Sequence, residues 1–278
     1  MKRFLLSILA LAALLPTACN PSTQTPPPFP RPEQADHTVK AEITTPGSPY
    51  TGVEMTESGI YIIRETECTH TGDYSYDKDD RRYDCKGFGS VKVVDTRAAS
   101  TRTLIITRTG QEPLTVDVVF TEPSARPAFG DWLYRTWTVE KTIIAASGEN
   151  VPAGLGIAHA EPGCDLPGIQ AYLAAHEVDI DADLEGYVVR DVTITAAGTF
   201  MIRFTGQDDF VGDYSLQDSG TFHYEFYGAE DGNAIFSATA DGSISFDSEY
   251  GRCLLAVDID TPDVSYRTSV TLYLVDRN

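Results

Sequence analysis

The sequence predicts an all-β protein in which a small antiparallel β domain precedes a larger up-and-down β-barrel or sandwich with one short helix. Apolar side chains alternate along many short runs, such as 114–120 and 222–227, which is typical of strands with one buried face. Turn signals built around glycines, including Gly59 and Gly198, separate these runs. Hydrophobic residues make up 42% of the 278 positions, which is enough for a core and excludes whole-chain disorder.

The first element is an N-terminal segment, 1–18, that predicts a cleaved export signal. Lys2 and Arg3 precede the stretch 4–15, which is apolar apart from Ser7. A membrane-spanning helix needs about 20 apolar residues, so this stretch is too short to remain in a bilayer. Its basic start and apolar middle are those of a secretory leader.

The residues Leu15, Pro16, Thr17, Ala18 and Cys19 resemble the lipobox of bacterial lipoproteins. The resemblance implies that Cys19 receives a lipid and holds the protein in the cell envelope. It also implies the outer membrane, on either face, because the next residue is asparagine instead of the aspartate that typically retains lipoproteins at the inner membrane. The alternative is an ordinary cleaved signal that leaves Cys19 as a free thiol.

A proline-rich segment, 19–37, follows and predicts an extended tether. Six prolines fall within it: Pro21, Pro26, Pro27, Pro28, Pro30 and Pro32. Proline at this density favours polyproline II at about 3.1 Å per residue, so the seventeen residues 20–36 span roughly 50 Å as a semi-rigid stalk. A proline-rich ligand for a partner domain is the alternative.

The globular part divides into two predicted segments, 38–128 and 129–278. Pro123 and Pro127 interrupt the strand pattern between them. The second segment contains the predicted helix, 165–178, where apolar residues fall at helical spacing and Asp165 is placed to cap the first turn.

An internal repeat links the two segments. The twelve residues that begin at Val53 are similar to those that begin at Val192, and Gly-Asp-Tyr-Ser occurs at both 72–75 and 212–215. Two explanations remain open, a gene duplication and two unrelated hairpins with the same turn chemistry.

The second segment resembles the lipocalin-like domains of bacterial envelope lipoproteins. It opens with a tryptophan-bearing run, 133–139, and continues as a meander of about eight runs to Val275. The resemblance implies an eight-stranded barrel that carries a small lipophilic molecule. Whether such a barrel is hollow or filled depends on where its aromatic side chains point.

The cysteines other than Cys19 are even in number, and disulfides persist in exported proteins. Pairing within each segment predicts two bridges, Cys68–Cys85 and Cys164–Cys253. A zinc site formed by Cys68, His70 and Cys85 is the alternative for the first pair, although it lacks a fourth ligand.

The acidic run 179–185 is a candidate calcium site. Asp179, Asp181 and Asp183 alternate along the chain, so that their carboxylates can point to one side, as a hard cation requires. A solvated loop that carries no ion is the alternative.

The charge balance and the missing motifs limit the possible functions. A formal net charge of -20 disfavours nucleic acid as a partner, because an acidic surface repels phosphate. No nucleophile elbow or phosphate loop occurs in the sequence. These observations predict a non-catalytic binding or scaffolding protein, anchored to the membrane, whose partner is an envelope protein, a glycan or a lipophile. A lipophile carrier and an envelope hydrolase acting on glycan or peptide are the alternatives.

Overall fold

The structure, a computed structural model, describes residues 32–94, 102–121, 131–148, 158–160, 164–165, 168, 171, 174–175, 188–206, 208–217, 220–230, 233–247, 252–260 and 266–276. Within these residues, strands dominate, and they form two antiparallel sheets. The all-β prediction is therefore confirmed. The described residues contain no helix that is long and apolar enough to cross a membrane.

The first eight strands form a closed barrel, which we call the N-terminal barrel. Each strand pairs with the next along the chain, and the first also pairs with the eighth, so the sheet has no free edge. The strands are β1 (Val39–Ile43), β2 (Tyr50–Met55), β3 (Ile60–Glu65), β4 (Thr69–Asp77), β5 (Arg82–Cys85), β6 (Gly89–Val94), β7 (Arg102–Arg108) and β8 (Leu114–Phe120).

The remaining strands form a ten-stranded sheet in which eight close in the same way. They are β9 (Arg135–Gly148), β10 (Ala158–Ala160), β11 (Cys164–Asp165), β12 (Val188–Ile194), β13 (Thr199–Phe204), β14 (Phe210–Leu216), β15 (Thr221–Glu230), β16 (Asn233–Asp247), β17 (Arg252–Asp260) and β18 (Tyr266–Asp276). Strand β9 pairs with both β12 and β18, which closes the C-terminal barrel, while β10 and β11 are short additions.

The predicted helix, 165–178, lies mostly outside the described residues. Asp165 belongs to β11, where it pairs with Val188, so it does not cap a helix. Gly168 and Ala171 have helical backbone.

The two similar sequence segments occupy the same place in the two barrels, β2–β3 in one and β12–β13 in the other. Their turns make the same bonds: Thr56 N–H donates to Ile60 O at 2.9 Å, and Thr195 N–H donates to Thr199 O at 3.0 Å. The glycine of each turn has a positive φ, 74° at Gly59 and 83° at Gly198. The shared position within a shared strand order favours the duplication over the coincidence.

The same two hairpins hold the barrels together. Outward-facing Ile60 and Ile62 of β3 form a buried cluster with Met201 and Val211 of the other barrel. This second buried face explains why residues 60–63 are all apolar and do not alternate with polar residues. Tyr61 and Ile63, which point inward, belong to the core of the N-terminal barrel.

Candidate ligand-binding site

The structure forms neither predicted disulfide. Cys68, Cys85 and Cys253 are all free thiols in the structure, so neither pairing is formed. Cys85 pairs with Tyr74, six residues along β4 from Cys68, which is roughly 20 Å at the usual rise per strand residue. A disulfide needs Cα atoms within about 7 Å. Cys164 lies in β11, in the same sheet as buried Cys253.

Several other predicted sites lie outside the described residues. These are the lipidation site Cys19, the tether up to residue 31, and the three candidate calcium ligands Asp179, Asp181 and Asp183. They remain predictions.

A cavity of about 320 Å³ lies at one end of the N-terminal barrel. Its walls come from the strand ends that meet there, including the start of β1 and the ends of β2, β6 and β8, together with the turn 195–197 of the C-terminal barrel. The lining residues are Thr38, Val39, Lys40, Glu54, Met55, Glu57, Tyr76, Arg81, Tyr83, Val93, Arg102, Phe120, Thr121, Thr195, Ala196 and Ala197. The cavity is therefore shared by both barrels.

The inner part of the cavity is apolar and aromatic. Met55 and Tyr83 are buried, and the rings of Tyr76 and Tyr83 lie 4.7 Å apart. His37 stacks on Tyr76 at 4.2 Å, just before β1 begins. Burial, with a smaller contribution from Tyr76, raises the pKa of Tyr83 well above its usual value, so this phenol is neutral at physiological pH. Such a surface suits the flat apolar part of a ligand.

The outer part of the cavity carries positive charge. Arg81 and Arg102 are both exposed, and the Arg102 guanidinium lies 5.0 Å from the ring centre of Phe120. Arg81 has a φ of 52°, an uncommon conformation for a residue other than glycine, and its carbonyl accepts the N–H of Val93 at 3.3 Å. The turn thus fixes an arginine at the mouth.

The two carboxylates that line the cavity are engaged by the C-terminal barrel. Glu54 is buried, and its two oxygens accept the hydroxyls of Thr195 and Thr199 at 2.8 and 2.6 Å. Glu57 accepts the N–H of Ala196 at 3.1 Å. These bonds join the barrels and place both carboxylates in the interface.

Lys40 is engaged there as well. Its ammonium donates to Ala197 O at 3.1 Å and to Thr199 Oγ1 at 2.8 Å, and it pairs with Asp213 at 3.3 Å. Arg81 and Arg102 line the side of the cavity away from this interface.

The corresponding end of the C-terminal barrel is closed by the chain that leads into β9. A short 3-10 helix, Asp131–Leu133, places Leu133 in the core. The ring of Trp132 packs 4.9 Å from Phe246, which lies near the end of β16. Arg135 then pairs with Asp276 at 2.5 Å, beside Trp137. Sequence resemblance placed a carrier site in this barrel, whereas the described cavity lies in the other one.

No family model matches the chain. No curated protein and no solved structure shows significant similarity to it either. The cavity is therefore interpreted from its own residues.

A second group of side chains, which could bind a metal ion, lies at the opposite end of the N-terminal barrel. Glu65, Cys68 and His70 present one ligand atom each, and these atoms all lie within 4.8 Å of one another. Cys68 and His70 belong to the zinc site considered from the sequence. Cys85, the third residue of that site, faces the barrel core instead, and Glu65 takes its place.

Proposed function

We propose that the protein is a non-catalytic, lipid-anchored protein of the cell envelope that binds a small amphipathic anion at the mouth of the N-terminal barrel. The observation that carries the proposal is the cavity of about 320 Å³ with an aromatic inner part and two arginines at its rim. Cavities that bind small molecules are mostly apolar with a few polar groups that orient the ligand, and this one has that composition.

The charge of the mouth supports an anionic ligand. The chain has a formal net charge of -20, whereas Arg81 and Arg102 both line this cavity together with aromatic residues. Because the surrounding field repels anions, the local arginines are needed to make binding favourable. A carboxylate, sulfonate or phosphate head with one or two rings or a short acyl chain fits these groups.

The strand order supports a lipocalin-like architecture for both halves. Eight antiparallel strands joined in sequence and closed between first and last is the arrangement of up-and-down carriers. The lipophile-carrier alternative therefore applies to the N-terminal barrel, where the described cavity lies. A scaffolding role suits the C-terminal barrel better, because Trp137, Phe200 and Phe204 are buried in its core.

The hydrolase alternative finds less support at this site. Glu54 and Glu57 are the two carboxylates of the cavity, and both accept hydrogen bonds from the other barrel. A glycosidase needs its two carboxyl groups facing the scissile bond.

Calorimetric titration with 2-naphthoate and with its uncharged relative 2-naphthamide tests the binding proposal. We expect naphthoate to bind at one site and naphthamide to bind more weakly, because only the carboxylate interacts with the arginines. Arg102→Gln lowers naphthoate affinity by about two- to fivefold, the range for an exposed charge pair, and leaves naphthamide unchanged.

Arg190→Gln is the matched control, since Arg190 is an exposed arginine of the C-terminal barrel. Equal affinity for the two probes contradicts the anion preference, and the absence of heat with either probe contradicts the site itself.

The anchor is tested separately with Cys19→Ser in the full chain. We expect the wild type to fractionate with membranes and the variant to be released or to keep its leader. Unchanged membrane fractionation of the variant contradicts the lipid anchor and leaves the cavity proposal standing.

A further inference from the structure

We propose that Glu65, Cys68 and His70 form a zinc-binding site at the end of the N-terminal barrel opposite the cavity. Glu65 is the last residue of β3, and His70 lies at the start of β4. The cavity is lined from the start of β1 and the end of β2, which lie at the other end of the barrel. The proposal is therefore independent of the ligand proposed for the mouth.

The local hairpin brings the three side chains to one face. Glu65 N–H donates to Cys68 O at 2.8 Å, which closes the turn and sets these two residues opposite each other. Directly opposed residues of an antiparallel pair project to the same side. Cys68 and His70 are two apart along one strand, so they share that side as well.

The distances match tetrahedral zinc. The Cys68 Sγ atom lies 3.5 Å from His70 Nε2 and 3.5 Å from Glu65 Oε2. With a Zn–S bond of about 2.3 Å and Zn–N or Zn–O bonds of about 2.0–2.1 Å, tetrahedral geometry requires separations of about 3.5 Å between sulfur and the other ligand atoms. The sulfur is therefore placed for a metal shared with His70 and Glu65, while the imidazole and the carboxylate, hydrogen-bonded at 2.9 Å, must separate slightly to about 3.3 Å.

The donor set also favours zinc over harder cations. Thiolate and imidazole are ligands that zinc prefers, whereas calcium and magnesium take oxygen ligands almost exclusively. Three protein ligands leave a fourth position, and Cys68 is exposed, so this position opens to solvent. That is the pattern of a zinc site with an exchangeable ligand and not of a closed structural site.

Neighbouring residues hold the ligands in place. Arg108 donates to Glu65 Oε1 at 3.2 Å, which leaves Oε2 directed at the Cys68 sulfur. Phe88 packs 5.3 Å from the His70 ring and restricts its rotation. Residues that contact the metal ligands without binding the metal orient those ligands in known sites.

Zinc binding changes the protonation of the group. His70 Nε2 lies 2.9 Å from Glu65 Oε1 and donates its proton to this carboxylate oxygen. To bind the metal through the Nε2 lone pair, the neutral imidazole changes to the tautomer that carries its proton on Nδ1. The Cys68 thiol forms a sulfur–zinc bond and loses its proton to solvent. Because metal binding releases this proton, zinc affinity should increase with pH.

Zinc titration of the purified full chain, in competition with a chromophoric chelator, tests the site. We expect one zinc ion per chain, and a loss of affinity of at least about tenfold in each of Cys68→Ser, His70→Gln and Glu65→Gln. Cobalt added in place of zinc should give thiolate-to-metal absorption in the wild type that Cys68→Ser abolishes.

Cys85→Ala and Glu67→Gln are the controls. Cys85 is a thiol of the same barrel that faces its core, and Glu67 is an acid of the same turn. Both should bind zinc like the wild type. Wild-type affinity in Cys68→Ser overturns the proposal, and so does a loss in Cys85→Ala as large as that in Cys68→Ser. Circular dichroism of each variant verifies that the barrels are folded.

A measurement on the unmodified chain avoids the risk that a variant misfolds. Saturating zinc should slow alkylation of Cys68 by iodoacetamide, measured on the peptide that contains it. An unchanged alkylation rate overturns the proposal.

Discussion

The two barrels share a strand order and a turn, but their mouths differ: a cavity lies at the mouth of the N-terminal barrel, whereas at the corresponding end of the C-terminal barrel Trp132 packs against Phe246. The difference arises in the first strand of each. By the pairing of β1 with β2 and of β9 with β12, Ala41 is equivalent to Trp137, and Val39 to Arg135. The C-terminal barrel thus has a large aromatic residue and a buried cation where the N-terminal barrel has smaller apolar residues. Barrels with the same strand topology can therefore differ in the side chains at their mouths.

The contact between the barrels shows the same contrast. Lys40 is equivalent to Thr136 and Glu54 to Thr193 by the same pairing. Each first strand bonds to the turn of the other barrel, Lys40 to Ala197 O and Thr136 to Ser58 Oγ. The contacts are reciprocal, as in a twofold arrangement of the two barrels. The N-terminal barrel, however, provides charged groups where the C-terminal barrel provides hydroxyls.

The largest expected loss of stability comes from truncating a core side chain of the C-terminal barrel. Trp137 is fully buried, so Trp137→Ala should lower the free energy of unfolding by about 3–5 kcal/mol, from lost burial and the space left behind. Guanidinium unfolding followed by circular dichroism measures it. Trp132→Ala, at a partly buried residue, is the control and should lose less. A loss below about 1 kcal/mol at Trp137 contradicts the assignment of this residue to the core.

A smaller loss of stability is expected from substitutions in the interface, and its size should differ between the two barrels. Glu54→Ala should cost about 3 kcal/mol, because it leaves the hydroxyls of Thr195 and Thr199 without the carboxylate that they contact. Thr193→Ala, at the equivalent position, removes one neutral bond to Thr136 and should cost about 1 kcal/mol. Chemical unfolding of both variants gives the comparison. Equal losses would show that the interface does not depend on the charge of Glu54.

The smallest expected loss of stability comes from two tyrosine hydroxyls at equivalent turns, and it tests whether the two barrels are structurally equivalent there. Tyr74 Oη donates to Thr56 O at 2.8 Å, and Tyr214 Oη donates to Thr195 O at 2.7 Å. Each change to phenylalanine should therefore cost about 1 kcal/mol, and the two costs should agree. A difference larger than about 1 kcal/mol contradicts the equivalence of the two turns.

The same two tyrosines give a pH dependence. Burial raises the pKa of both phenols in the folded state, so their contribution is complete below about pH 10, the usual phenol value, and is lost as the pH rises through the raised values. Unfolding measured between pH 9 and pH 11 should show a steeper decline in the wild type than in Tyr74→Phe.

The all-β class could be predicted from the sequence because the alternation of apolar side chains and the glycines in turns are local signals. Closure of the N-terminal half was missed, since the pairing of Ala41 with Phe120 joins the two ends of the barrel and leaves no local pattern. The predicted disulfides are not formed in the structure, for a related reason. Cysteines were paired by segment, whereas the strand register determines which side chains meet.

The candidate sites differ in how far they could have been predicted. The cavity collects residues from several strand ends, including Arg81 and Arg102, and no spacing in the sequence relates them. The metal cluster was predictable in part. The sequence suggested Cys68 and His70 only in an alternative zinc site that included Cys85, and a tight turn before Cys68 would have placed Glu65 opposite it.

The turn 195–197 forms part of the cavity wall although it belongs to the C-terminal barrel. A chain cut between the barrels would leave the binding pocket incomplete, even if each half kept its shape. Under the proposed function, one barrel would bind the ligand while the other completes the cavity wall, so that substitutions in the turn 195–197 of the C-terminal barrel would also affect binding.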